Sequence, residues 1–150
     1  MSYRVDEIEN ALLDTLAQAP ALYYLRAVII LPSLDRPSLE QEAWRGPAAG
    51  VIAVSGRYSD DMASVSDEAG LFAVVALNRN LRTPAAALAS AAAGETGCWD
   101  IIADARAVLH DNQLGLDIFN CRPLRRYLLF AGDKGAACVL ELEITWRHTA

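Results

Sequence analysis

The pattern that most restricts the fold lies near the C-terminus, where apolar and polar residues alternate. The two sets of alternate positions are Cys138, Leu140, Leu142, Ile144 and Trp146 on one face, and Val139, Glu141, Glu143, Thr145 and Arg147 on the other. Because successive side chains of a strand point to opposite faces, this pattern predicts an antiparallel strand with one buried and one solvated face. A strand-forming run at 124–130 and the turn sequence at 132–135 precede it, so the two runs predict a hairpin.

Two stretches have the apolar spacing of amphipathic helices. In residues 3–18 the acidic side chains concentrate toward the start, where the helix dipole favours them, and Pro20 ends the helix. Residues 96–111 form the second predicted helix, with Cys98 on its apolar face.

Three further strands are predicted from runs of apolar, β-branched and aromatic residues: 22–31, 50–55 and 71–78. Residues 32–47, with three prolines, predict a loop that contains a helical turn at 39–44. The polar residues 56–70 predict a long mobile loop. Residues 84–93 are nearly all alanine, which favours helix but offers little surface to bury.

Together these elements predict an α+β fold, in which a mixed, mainly antiparallel sheet of about five strands is flanked by two main helices. The order of elements, with strands that meet through hairpins, favours this class over a parallel βαβ arrangement. A length of 150 residues suits a single domain, residues 1–150.

The formal net charge of −6 argues against specific nucleic-acid binding, because an acidic surface does not attract the phosphate backbone. No stretch has the length and apolar character of a membrane span, and the first ten residues carry charges where a signal peptide needs an apolar run. Three cysteines without a Cys-x-x-Cys pair indicate reduced thiols in a cytosolic setting.

Few residues have the types or spacing that catalysis or metal binding needs. The histidines are His110 and His148, and the pair His110–Asp111 lacks the further histidines of a metal hydrolase. Cys121 stands beside Arg122 and Arg126, which predicts a lowered thiol pKa, but no base accompanies it. The sequence therefore predicts a protein that is not an enzyme and has no metal and no cofactor.

Two basic clusters stand out in this acidic chain. The first, Asn78-Arg79-Asn80-Leu81-Arg82, follows a predicted buried strand directly. The second, Arg122, Arg125 and Arg126, opens the C-terminal hairpin. Each is either a solvated strand end or a set of guanidinium donors for acidic partners, so Arg79, Asn80, Arg82, Arg122, Arg125 and Arg126 are the candidate interface residues.

The order of these motifs resembles a family of small Mu-like phage proteins that complete the tail. Residues 78–82 are similar to the family's Ala-Arg-Asn-Leu-Arg string, and residues 109–115 to its Leu-x-Gly-x-x-Leu-Gly helix end. The chain departs from the second pattern at Asp111, where a glycine is usual, and in its alanine-rich residues 84–93.

The resemblance implies a tail terminator, a structural protein of the virion that is assembled in the host cytoplasm. Such proteins form a homo-oligomeric ring, usually a hexamer, on the last disk of a contractile tail tube. The ring stops the growth of tube and sheath and joins the tail to the neck and connector proteins, and DNA passes through it without specific binding. A neck or head-completion protein is an alternative within the same class, and a small adaptor or an enzyme with an unfamiliar site are alternatives outside it.

Overall fold

The computed structural model describes residues 3–60, 65–79 and 97–149. Within these residues the chain forms three α-helices, a 3-10 turn and five strands. The helices are α1 (Val5–Gln18), α2 (Arg36–Ala43) and α3 (Cys98–Leu109), and the 3-10 turn is Pro20–Leu22. The strands are β1 (Ala27–Ile30), β2 (Ala48–Asp60), β3 (Val65–Asn78), β4 (Arg122–Gly132) and β5 (Gly135–Thr149).

The strands form one mixed sheet in the order β1-β2-β3-β5-β4. Only β1 and β2 run parallel among the described strands, and the other three pairs are antiparallel. The predicted C-terminal hairpin is the β4–β5 pair, whose register closes at Gly132↔Gly135. The predicted α+β class with a mixed, mainly antiparallel five-stranded sheet is confirmed.

The larger core lies between one face of the sheet, the inner face, and the helices α1 and α3. The predicted apolar positions of β5 all lie on this face and are buried, as is Cys98 of α3. α1 packs on β1 and β2, and α3 packs on β3, β5 and β4, so the two helices divide the inner face between them. The helices pack on the sheet in this way because each has a single apolar stripe, as the spacing of its apolar residues predicts.

A smaller core lies on the opposite, outer face, where α2 packs on β3 and β5. Leu39 and Ala43 of α2 are fully buried there, against Val75, Val139 and neighbouring residues of the sheet. The helix begins after Asp35, whose carboxylate accepts a hydrogen bond from the Ser38 amide at 3.1 Å. The predicted helical turn at 39–44 is thus the second half of a helix, not an isolated turn in a loop.

The predicted strand at 22–31 is wrong over its first half. Pro20 opens the 3-10 turn, and within the predicted strand the residues Ala27–Ile30 pair with β2. The Tyr24 hydroxyl donates a hydrogen bond of 2.6 Å to Asp104 of α3, which holds this segment against the helix layer before the strand begins.

The predicted mobile loop at 56–70 is wrong over residues 56–60 and 65–70, which are strand, and its residues 61–64 lie outside the described residues. β2 and β3 remain paired through this region as far as Asp60↔Ser66, and β3 pairs in turn with β5. Backbone hydrogen bonds stabilise this polar stretch as strand, because residues 66–70 of β3 lie between β2 and β5. Gly70 fits the arrangement closely, since a Cβ there would come within 2.5 Å of the Phe72 ring.

Candidate interaction surfaces

Arg79, the first predicted interface residue, is the last described residue after β3 and is half-buried. The backbone at this exit is held between two glycines. A Cβ on Gly46 would lie 2.9 Å from the Arg79 amide nitrogen, and one on Gly135 would lie 2.7 Å from the Asn78 carbonyl oxygen. The close approach fixes where the chain leaves the sheet. Asn80 and Arg82 lie outside the described residues.

The second predicted cluster does not form one patch, because its arginines lie on both faces of β4. Arg122 and Arg125 pair in register with Glu143 and Glu141 on the outer face, whereas Arg126 pairs with Leu140 on the inner face. A bulge between Pro123 and Arg125 adds one residue to β4.

Arg125 is already engaged within the chain. Its guanidinium contacts the Glu141 carboxylate at 2.6 and 2.7 Å and lies 4.8 Å above the centre of the Tyr127 ring. The pKa of Arg125 is raised by the hydrogen bond to Glu141. Glu141 is 6% exposed, so this pair satisfies a nearly buried carboxylate on the face that the sequence predicts to be solvated.

The outer face beyond α2 carries two further cross-strand ion pairs. Arg57 of β2 lies 3.2 Å from Glu143, and Arg147 of β5 lies 3.1 Å from Asp67. The predicted solvated face of β5 is therefore apolar and covered at Val139, and its charged residues Glu141, Glu143 and Arg147 are all in ion pairs. The acidic residues that the sequence places in a loop are thus part of the sheet where the structure describes them.

Between α3 and β4 lies an open cleft of about 780 Å³, here called the basic cleft. Its walls include Trp99, Ile102, Arg106, Pro123, Leu124 and Arg126, and Arg125, whose guanidinium is paired with Glu141, also borders it. Arg106 and Arg126 are both exposed, and no acidic side chain lines the cleft within the described residues. Arg126 is one of the predicted interface residues, whereas Arg106 was not predicted. The signal for Arg106 is its position seven residues after Trp99 on one helix, which puts the two side chains on the same face.

α1, which packs on β1 and β2, presents an acidic surface to solvent. Asp6, Glu7 and Asp14 are exposed on it, and these three residues are here called the acidic helix surface. Glu7 and Asp14 also border an open cleft of about 870 Å³ between α1 and the loop after α3. The acidic helix surface and the basic cleft are therefore separate surfaces of opposite charge, one on the helix that packs on β1 and β2 and the other beside β4.

The cysteine environments correct one expectation. All three thiols are free and buried. Burial raises the pKa of Cys121 to about 12, so the prediction that neighbouring arginines lower it is wrong. Arg122 and Arg126 point to solvent on a strand edge, whereas the thiol points into the core, so burial dominates. A hydrogen bond to Cys138 and burial raise the pKa of Cys98 as well.

The remaining candidates for chemistry are isolated from one another. His110 is exposed at the end of α3 and lies 3.3 Å from the Asp111 carboxylate. Among the described residues, no three His, Cys, Asp or Glu side chains come together in a way that could hold a metal ion. None of the described helices is both long enough and apolar enough to cross a bilayer.

A family model described as Bacteriophage Mu, Gp37 matches residues 4–146, which is nearly the whole chain. The chain belongs to this family. Membership in the Mu Gp37 family confirms the resemblance to Mu-like phage proteins and supports a structural role in the phage particle. No curated protein matches the sequence.

One of the two motifs that carry the resemblance to Mu Gp37 proteins, residues 109–115, is a structural turn. The Asn112 side chain receives a hydrogen bond from the Leu114 amide at 2.7 Å and donates one to the Val108 carbonyl at 3.0 Å. The Asn112 carbonyl also accepts a bond from the Cys121 amide. These bonds join the end of α3 to the start of β4, so the motif maintains the fold.

Proposed function

We propose that this Mu Gp37 family protein is a tail terminator, which forms a ring at the head-proximal end of a contractile tail. The observation that carries the proposal is the family match over residues 4–146, together with the resemblance of residues 78–82 and 109–115 to tail-completion proteins. Its partners would be further copies of itself, the tube and sheath proteins, and the neck proteins.

The fold is compatible with a ring of identical copies. Among the described strands, β1 and β4 are the edges of the sheet, and Ile30 on one edge and Leu128 on the other are 39% and 48% exposed. Exposed apolar side chains at sheet edges favour contacts with other chains. We further propose that the role is not catalytic, because the free thiols are buried and Cys121 stays protonated at neutral pH.

The proposal is tested by deleting the gene from a phage that encodes this protein. A terminator stops polymerisation, so its loss should give tails of uneven or excessive length that are not attached to heads. Electron micrographs of lysates, with tail lengths measured against wild type, give the result.

Restoration of the gene from a plasmid is the control for effects on neighbouring genes. Tails of normal and uniform length without attached heads would contradict the terminator role. That result would favour the neck or head-completion alternative, in which the protein acts after the tail is finished.

A further inference from the structure

We propose that neighbouring copies of this chain join head to tail, with the acidic helix surface of one copy seated on the basic cleft of the next. The inference rests on the proposed ring and names the two surfaces that would form it. Neither surface is part of the inner core: Arg106, Arg126, Asp6 and Asp14 are all exposed, and Asp6 lies 3.3 Å from the exposed guanidinium of Arg4.

Charge complementarity selects a second copy as the occupant of the basic cleft. Three arginines, Arg106, Arg125 and Arg126, line the cleft beside Trp99 and Leu124, and Leu124 is 45% exposed. Arginine favours carboxylate partners at such interfaces, and an exposed aromatic or aliphatic side chain beside it adds apolar contact. The acidic helix surface of the same chain provides carboxylates over two turns of α1.

The positions of the two surfaces fit a cyclic assembly. α1 packs on β1 and β2, whereas the basic cleft borders β4 at the opposite edge of the sheet. A contact between two different surfaces of a subunit is heterologous, and it closes into a ring when the rotation between copies allows it. A contact between identical patches would instead give a twofold dimer.

The experiment uses two charge-reversed proteins. A cleft variant carries Arg106→Glu and Arg126→Glu, and a helix variant carries Asp6→Lys and Asp14→Lys. In either variant alone, the two surfaces that should meet have the same charge. In an equal mixture, the acidic cleft of the cleft variant can bind the lysines of the helix variant. The unchanged basic cleft of the helix variant can bind the unchanged acidic helix surface of the cleft variant.

The matched control carries Arg45→Glu and Lys134→Glu. Both side chains are exposed, at 61% and 73%, and lie by α2 on the outer face, away from both proposed surfaces. The charge change equals that of the cleft variant. Circular dichroism and melting temperature establish that each variant is folded.

Assembly is measured by mass photometry of the purified proteins and by complementation of a phage that lacks the gene. We expect each charge-reversed variant alone to lose on the order of tenfold or more in association constant and to fail in complementation. The equal mixture, and co-expression in the phage assay, should restore assembly. The control should behave as wild type, and higher salt should weaken wild-type assembly.

Three results would overturn the inference. If either variant assembles alone as well as wild type, these two surfaces do not form the contact between copies, and the proposed ring is left intact. If both variants fail and the mixture also fails, the cleft binds a different acidic partner. If the wild-type protein occurs as a single copy on purified tails, the ring itself is absent, and the proposed function fails with the inference.

Discussion

At the scale of the residue, the backbone of the loop after α3 explains a departure from the family pattern. Asp111 has a φ of 56°, in the left-handed region, and occupies the position where a glycine is usual in the resembled motif. Glycine adopts this conformation without steric cost, and aspartate is one of the few other residues that tolerate it. The amide of Asp111 also donates to the Cys121 carbonyl at 3.2 Å, which holds the loop in place.

This geometry predicts opposite effects for two substitutions. Asp111→Gly should leave stability unchanged or raise it by up to about 1 kcal/mol, because it removes the steric cost of a positive φ. Asp111→Val should lower stability by about 1–2 kcal/mol, since a β-branched residue fits this region poorly. Urea unfolding followed by circular dichroism measures both. Equal stability of the two variants would show that the loop relaxes to a different conformation.

At the scale of the element, one side chain of α1 stabilises an irregularity in the sheet. The register of β2 against β3 shifts between Ala53 and Ser55. Next to this shift, the Ala53 amide donates to the Glu9 carboxylate at 2.8 Å, a contact between residues 44 positions apart. The helix thus supplies an acceptor to β2 at a point beyond the end of β1 at Ile30.

The link predicts that Glu9→Ala lowers the free energy of unfolding by about 1–2 kcal/mol, because the Ala53 amide loses a charged acceptor. Glu9→Gln is the matched control, since the amide oxygen can still accept the bond, and should lose less than half as much. Thermal or urea denaturation gives the comparison. Equal losses in the two variants would mean that the charge of Glu9, not its hydrogen bond, matters.

At the scale of the whole molecule, charge is distributed unevenly over an acidic chain. The net charge is −6, yet Arg106 and Arg126 meet in one cleft at the β4 edge. On the outer face, Arg57, Arg125 and Arg147 each lie against a carboxylate of another strand. Little of the positive charge of that face is thus available to a polyanion such as DNA.

The predicted consequence is that duplex DNA does not bind this protein with appreciable affinity. DNA binding draws on counterion release at each neutralised phosphate, and a net negative protein with paired arginines releases few counterions. Fluorescence anisotropy with labelled duplex at low salt, where electrostatic attraction is strongest, is the measurement. Salt-sensitive binding at micromolar concentration would contradict it, and would favour a neck component that contacts DNA.

Several features followed from the sequence alone. The alternation from Cys138 to Trp146 predicted the buried face of β5, and the turn at 132–135 predicted its hairpin with β4. The helical spacing predicted α1 and α3 to within two residues at their described ends. These patterns are local, because a period of two or of 3.6 residues reports directly which side of an element meets the core. The resemblance in residues 78–82 and 109–115 likewise led to the phage family.

Only the tertiary structure decided the course of residues 56–60 and 65–70 and the arrangement of the arginines. The polar stretch is strand because β3 is paired on both sides, and its charged residues find partners such as Arg147 with Asp67 across 80 positions. Arg125 and Arg126, adjacent in sequence, pair with residues on opposite faces of β5, and the distant Arg106 joins them at one cleft. Contacts between remote segments leave no local periodicity, so the sequence could supply the residues of this candidate surface but not their grouping.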